Sequence, residues 1–302
     1  MSGRTEDGGP LGPAADGTPA DLGTDPSAVD GADLPICGTC GTQYAAARTD
    51  CPVCQDERQY VDPAGQRWTS LRELRASGMT GRFEEEGPGV LGVGSSPRFA
   101  IGQRALLVRT AAGNVLWDCA PYLDGAMVRG IEELGGIACI AISHPHFYST
   151  MAEWARAFDA PVYLHAADRQ WVGRPDPRLR FWSGESHRLT DELTLLNPGV
   201  HFPGSAVLHW SAGRGALFSG DVLNVGPDHR WVSLMYSYAQ HIPERPDRVE
   251  RAAAFLDRYS FDRIYGAWWG RVVTADGNEV LRRSAARYLS FERATQRPAD
   301  VS

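Results

Sequence analysis

His144 and His146 stand one residue apart in Ile142-Ser143-His144-Pro145-His146-Phe147-Tyr148-Ser149, directly after the apolar run 137–142. On an extended backbone, side chains at i and i+2 point the same way, so the spacing predicts that both imidazoles reach one ion. Pro145 fixes φ between them and stiffens the pair. For a lone His-x-His the alternative is two unrelated polar loop residues, since histidine serves many roles. Three later or earlier groups point the other way. His201 lies in the Gly- and Pro-edged loop Gly199-Val200-His201-Phe202-Pro203-Gly204-Ser205, Asp221 closes the turn Phe218-Ser219-Gly220-Asp221, and Asp118 ends Leu116-Trp117-Asp118.

A second set of groups lies near the N-terminus. Cys37-Gly38-Thr39-Cys40 and Cys51-Pro52-Val53-Cys54 are two C-x2-C pairs with ten residues between them. Four thiols in two tight turns can satisfy a tetrahedral four-thiolate metal site. Disulfides compete for the same cysteines, but a chain read as cytoplasmic keeps its thiols reduced. The segment 35–60 resembles a zinc ribbon, and its C-G-x-C-G and C-P-x-C turns also resemble rubredoxin, which sets its pairs farther apart. The resemblance implies structural Zn²⁺ in the ribbon, with Fe as the alternative. Cys119 and Cys139 lie in apolar surroundings and are expected to be buried small hydrophobes.

Composition bounds the rest. With 302 residues, 43% of them hydrophobic, the chain can bury one large core or two modest ones. No window approaches the ~18 uninterrupted apolar residues of a membrane span, and no charged-then-apolar leader opens the chain, which implies the cytoplasm. The net charge of −7 is concentrated in residues 1–34, which hold seven acidic residues against Arg4 alone. The remainder is close to neutral, so no nucleic-acid footprint follows. Residues 1–34 also hold eleven Gly or Pro and no aromatic residue, the composition of a disordered tail.

The elements that must position these groups are read from periodicity. After a connector at 61–81, strand-like runs fall at 99–101, 105–108, 115–118, 137–142, 161–164, 193–196, 206–210, 216–218 and 263–265. Helices are expected at 122–134, from Thr150 with Glu153 as a capping box, from Pro246, and at 278–291. Strands with interposed helices in both halves argue for an α/β sandwich over 82–292, followed by a tail at 293–302.

Together, Asp118, His144-Pro145-His146, Gly199 to Ser205 with His201, and Gly220-Asp221 resemble the metallo-β-lactamase fold hydrolases. That family's motifs run from a strand-end Asp through H-x-H-x-D-H and G-H-x-P-G-S to G-D and a last His. The resemblance covers roughly residues 82–290 and implies an αββα sandwich with a metal site at one edge of its two sheets. It also implies His144, His146 and His201 as the first-metal ligands, with Asp221 beside them. The departures fall on the second metal. Tyr148 and Ser149 stand where the family has Asp and His, and Ala267-Trp268-Trp269-Gly270 stands where it has its last His. A mononuclear site follows, in which Zn²⁺ on three neutral imidazoles keeps an open position and its water falls to a pKa of about 7.

The function implied is a hydrolase using a single-metal-bound hydroxide on an ester, thioester, lactone or related bond of a small-molecule substrate. Asp221 orients the water in this reading. Tyr148 either donates to an oxyanion or packs with its hydroxyl on backbone, and Asp118 holds backbone near the site. A metal-stabilised binding or sensor module, and an electron-transfer protein with an iron-loaded ribbon, are the alternatives.

Overall fold

The computed structural model describes residues 31–295, so the expected tail at 1–34 lies almost wholly outside the described residues. The chain begins with β1 (Ile36–Cys37), α1 (Pro52–Gln55), β2 (Trp68–Thr69) and α2 (Leu71–Ala76). β1 pairs antiparallel with β2, which closes the cysteine segment on itself. Ser70 caps α2 by accepting from the Glu73 amide.

Next come β3 (Thr80–Gly87), β4 (Val90–Ser96), β5 (Ala105–Val108), β6 (Val115–Trp117), α3 (Gly125–Glu132), β7 (Cys139–Ala141), α4 (Met151–Ala157), β8 (Val162–His165) and β9 (Leu179–Trp182). β3 to β9 form one seven-stranded sheet in sequence order, antiparallel as far as β6 and parallel from β6 to β9. The second sheet holds β10 (Ser186–Arg188), β11 (Leu193–Leu196), β12 (Val207–Trp210) and β13 (Ala216–Gly220). After two short hairpins, β14 (Asn224–Val225) with β15 (Val232–Ser233) and β16 (Met235–Ser237) with β17 (Ile242–Pro243), the chain forms α5 (Pro246–Leu256). It then completes that sheet with β18 (Arg263–Gly266) and β19 (Val272–Val273), and ends in α6 (Gly277–Thr295).

Strand periodicity decides which residue faces which layer. Leu106, Val108, Val115, Trp117, Cys139 and Ala141 of the first sheet meet Leu193, Leu195, Leu208, Ala216, Phe218 and Tyr265 of the second in a core between the sheets. Their alternates Leu107, Leu116 and Ile140 pack outward against Leu74, Met127, Ile131 and Trp154 of α2, α3 and α4. On the far side Leu217 and Ile264 pack against Val249, Ala252, Leu256 and Leu281 of α5 and α6. The fold is therefore the expected α/β sandwich of four layers, helices outside and two sheets within.

Several local expectations are corrected. Residues 99–101 form a turn with Ala100 at φ +52°. Thr150 makes no side-chain cap; its hydroxyl donates to the Ala120 carbonyl, and Glu153 pairs with Arg174. The β3–β4 hairpin lacks an apolar alternation: Phe83, Glu84 and Glu85 are all exposed in β3, and Gly92 and Gly94 interrupt β4. Both glycines are needed, since a Cβ there would meet the Trp269 ring at 2.8 and 2.7 Å. Cys119 and Cys139 are fully buried, as expected, and burial raises the Cys139 thiol to about 12.

The cysteine segment is packed onto the sandwich. Ile36 and Leu71, both fully buried, belong to the cluster under α3 and α4, and Gln43 and Ala45 donate to the carbonyls of Ser149 and Gly173 at 3.0 and 3.1 Å. Ile36→Ala should therefore cost about 2–5 kcal/mol and move a single unfolding transition that carries both parts. Urea titration followed by far-UV circular dichroism checks this; two separated transitions in the parent protein would contradict it.

Candidate metal centre

The site forms where β6, β7, β8 and β13 end on one rim of the sandwich. Ile142-Ser143 leaves β7 and delivers His144 in extended geometry, φ −168° and ψ 171°, after which Pro145–Phe147 is a 3₁₀ turn. The two histidines are thus not on one extended strand. Pro145 at the first position of the turn curls the chain, and His146 still reaches its partner, with ring centroids 4.9 Å apart. His201 lies 4.8 Å from His144 and 5.4 Å from His146 by the same measure.

Backbone ties fix these loops against one another. Asp118, at φ +63° just past β6, accepts the Ser143 amide on Oδ1 at 2.7 Å, and the Ser143 carbonyl accepts the Ala206 amide at 2.8 Å. The Asp118 carboxyl is fully enclosed, and burial pushes it up to about 7. It holds backbone beside the site, as the sequence implied. Gly220, at φ +50°, brings Asp221 in; a Cβ there would meet the Ser143 side chain at 2.5 Å.

One ligand atom each from His144, His146, His201 and Asp221 falls within a 4.8 Å group, and all four residues are buried, at 1%, 3%, 2% and 5% exposure. The hydrogen-bond partners define what those atoms can do. His201 Nδ1–H donates to the carbonyls of Met235 and Tyr236 at 3.2 and 3.0 Å. Carbonyls only accept, so the proton sits on Nδ1 and the Nε2 lone pair is free. His144 Nδ1 lies 2.8 Å from Ser143 Oγ. Nε2 of all three histidines and Oδ1 of Asp221 are buried without a hydrogen-bond partner, and His144 Nε2 lies 3.5 Å from Asp221 Oδ2. Burial, reinforced by the neighbouring histidines, drives His146 well below the usual imidazole value and His201 down to about 3. Three imidazole nitrogens and a carboxylate oxygen, buried without partners, fit a cation, because a buried polar group left unsatisfied costs about 1–3 kcal/mol.

The cysteines fit a second one. Cys37, Cys40, Cys51 and Cys54 are free and buried, their sulfurs within 4.8 Å of one another, with 3.6 Å from Cys37 to Cys54 and from Cys40 to Cys51. That spacing excludes a disulfide, whose sulfurs lie about 2.05 Å apart, and matches the edge of about 3.8 Å of a tetrahedron with ~2.3 Å metal–sulfur bonds. Hydrogen bonds among the thiols pull Cys37 down and hold Cys40 and Cys54 up, so all four cannot ionise together without a cation. Gln66 Nε2 donates to Cys37 Sγ at 3.1 Å, and the Tyr44 hydroxyl lies 3.2 Å from Cys51 Sγ.

Tyr148 is buried in the core, its hydroxyl donating to the Asp168 carbonyl at 3.4 Å, which is the packing alternative of the two weighed from sequence. Ser149 accepts from Gln103 Nε2 at 2.9 Å. Trp268 packs on Phe147 at 6.3 Å.

Sequence reading missed four residues here. Glu244 accepts the His201 amide at 2.9 Å and holds that residue at φ +66°. Asp168 accepts from Gly204 on Oδ1 at 3.1 Å, keeps Oδ2 unpartnered, and is raised by burial to about 6. Ser143 and Arg58 complete the set. None carries a spacing signal; only the apolar runs around Ser143 hint at its burial.

No protein-family model matches the chain. The uncharacterized protein YmaE of Bacillus subtilis (strain 168) is 45% identical over 261 residues, covering 84% of this chain and 95% of that protein. The chain belongs to the YmaE family. Among solved structures it is similar to DIM-1 metallo-β-lactamase exposed to ceftazidime, with a TM-score of 0.53 and 18% identity over 68% of this chain and 95% of that one. The solved structure of TMB-1 gives a TM-score of 0.52 and 17% identity over 71% of this chain and 98% of that one. This member of the YmaE family thus has the metallo-β-lactamase fold with a four-cysteine cluster added at its N-terminal side.

Gly220→Ala should lower stability by more than about 1 kcal/mol, because alanine is strained at positive φ and its methyl would displace Ser143. Urea unfolding measures this; a variant as stable as the parent would contradict the packing described.

Proposed function

We propose that the chain is a metal-dependent hydrolase acting on an ester, thioester, lactone or related bond of a small molecule, with one Zn²⁺ among His144, His146, His201 and Asp221 and a structural Zn²⁺ on the four cysteines. The observation that carries the reading is a ligand atom from each of four buried residues converging within 4.8 Å, with Nε2 of the three histidines and Oδ1 of Asp221 left without hydrogen-bond partners. Bound there, Zn²⁺ would supply Lewis acidity and lower the pKa of water.

The chain's own residues supply the rest. Nε2 of each of the three imidazoles is buried without a partner, while Nδ1 of His201 is held on two carbonyls and cannot swing away. Asp221 presents Oδ1 with no competing donor, so it can accept a proton from water or orient it. The positions that would hold a companion ion are committed elsewhere: Ser149 Oγ to Gln103, the Ser149 carbonyl to Gln43, and the Ala267 carbonyl to the Arg104 amide. This supports a mononuclear site.

The second reading, a metal-stabilised binding module without turnover, draws on one observation: the four ligand residues are no more than 5% exposed, which leaves a substrate little approach.

Metal analysis of the purified full-length protein should give about two equivalents of zinc, falling to about one in His146→Ala with the cysteine site still loaded. Unchanged zinc in that variant would rule out the histidine site. Against a panel of esters, thioesters and lactones, activity should vanish with chelator, and Asp221→Ala should lower kcat/KM by about 10²–10⁴-fold. A zinc-loaded protein inert on every class would leave the second reading standing.

A further inference from the structure

The segment that leaves the cysteine cluster reaches the histidine site. Cys51 precedes and Cys54 lies within α1, whose last carbonyl-bonded amide belongs to Asp56. Asp56 takes the Arg58 guanidinium in a two-point pair, Nε to Oδ1 at 2.6 Å and Nη2 to Oδ2 at 2.9 Å. The Arg58 side chain is 11% exposed; its guanidinium lies over the Phe202 ring at 3.8 Å, and Nη1 donates to the His201 carbonyl at 3.2 Å.

The same segment grips the strand that orients His201. Ser237 Oγ donates to the Arg58 carbonyl at 3.1 Å, the Tyr236 hydroxyl donates to Glu57, and Gln240 Nε2 donates to the Gln59 carbonyl at 3.0 Å. On its other side that strand offers the Met235 and Tyr236 carbonyls to His201 Nδ1–H. His201 is therefore set from both ends of its own residue, at its carbonyl by Arg58 and at its ring by backbone that residues 57–59 hold in place.

We propose that Arg58 is a positioning residue through which the cysteine cluster and the histidine site bind metal cooperatively. The argument rests on the reading that both clusters take an ion. Loading the cysteines orders α1 and with it Asp56 and Arg58; this aims Nε2 of His201 inward before any ion arrives there. Hydrogen bonds behind a metal-ligating histidine typically change affinity by about 10–100-fold. Coupling between two sites is reciprocal, so filling the histidine site must tighten the cysteine site by the same factor.

The test uses full-length protein and zinc, with site affinities measured by chelator competition well below the unfolding temperature. With the cysteines loaded, Arg58→Ala should bind zinc at the histidine site about 10-fold or more weakly while keeping cysteine-bound zinc. His146→Ala, which empties the histidine site, should weaken the cysteine site by the coupling factor, and adding Arg58→Ala to it should weaken it no further. Tyr236→Phe, which cuts only the contact to Glu57, should give a smaller loss in the same direction and serves if Arg58→Ala does not fold. Histidine-site affinity within about twofold of the parent in both variants would overturn the inference alone. A parent protein that binds no zinc removable by His146→Ala would overturn the metal reading and the inference with it.

Discussion

The structure depends on one unfavourable arrangement: four acceptor atoms, on His144, His146, His201 and Asp221, buried together with nothing to donate to them. Left so, each costs free energy that the core must offset, and like-natured lone pairs facing one another add to it. Burial keeps the His146 and His201 rings neutral, so these two cannot relieve the strain by taking protons near neutral pH. A cation resolves the whole arrangement at once. Around it the chain spends rigid backbone: a carboxylate on the Ser143 amide, a glycine where no side chain fits, and two carbonyls behind His201.

Much of this was legible in the sequence, for physical reasons. His144 and His146 follow a strand buried on both faces, and such a strand must end at a sheet rim. Gly199 to Ser205 and Gly220-Asp221 announce turns through residues that tolerate unusual φ. The two C-x2-C pairs carry their own geometry. Secondary structure was less legible where packing overrode local pattern. The β3–β4 hairpin has exposed residues along β3 and glycines in β4, and Trp269, far along the chain, fills the space above Gly92 and Gly94. The capping-box pattern at Thr150 yielded to tertiary partners: Thr150 to Ala120 and Glu153 to Arg174.

The supporting residues were illegible because their partners lie far off in sequence. Glu244 meets His201 across 43 positions and Arg58 meets it across 143; no spacing rule reaches that far. They also alter how the cysteine segment is understood. Read from sequence it is a separate ribbon joined by a connector, whereas Ile36 and Leu71 sit in the main core and Gln43 bonds to Ser149, a position the resemblance would give to a second-metal ligand. The cysteine segment thus packs directly against the loop that follows His144 and His146.

The central claim is an ion at the convergence of three imidazoles. Anomalous diffraction at the zinc edge from crystals of the full-length protein tests it most directly. The account predicts two peaks, one among the cysteine sulfurs and one about 2.0–2.1 Å from Nε2 of His144, His146 and His201. A peak at the cysteines alone, with the three rings bonded to water or to one another, would contradict it.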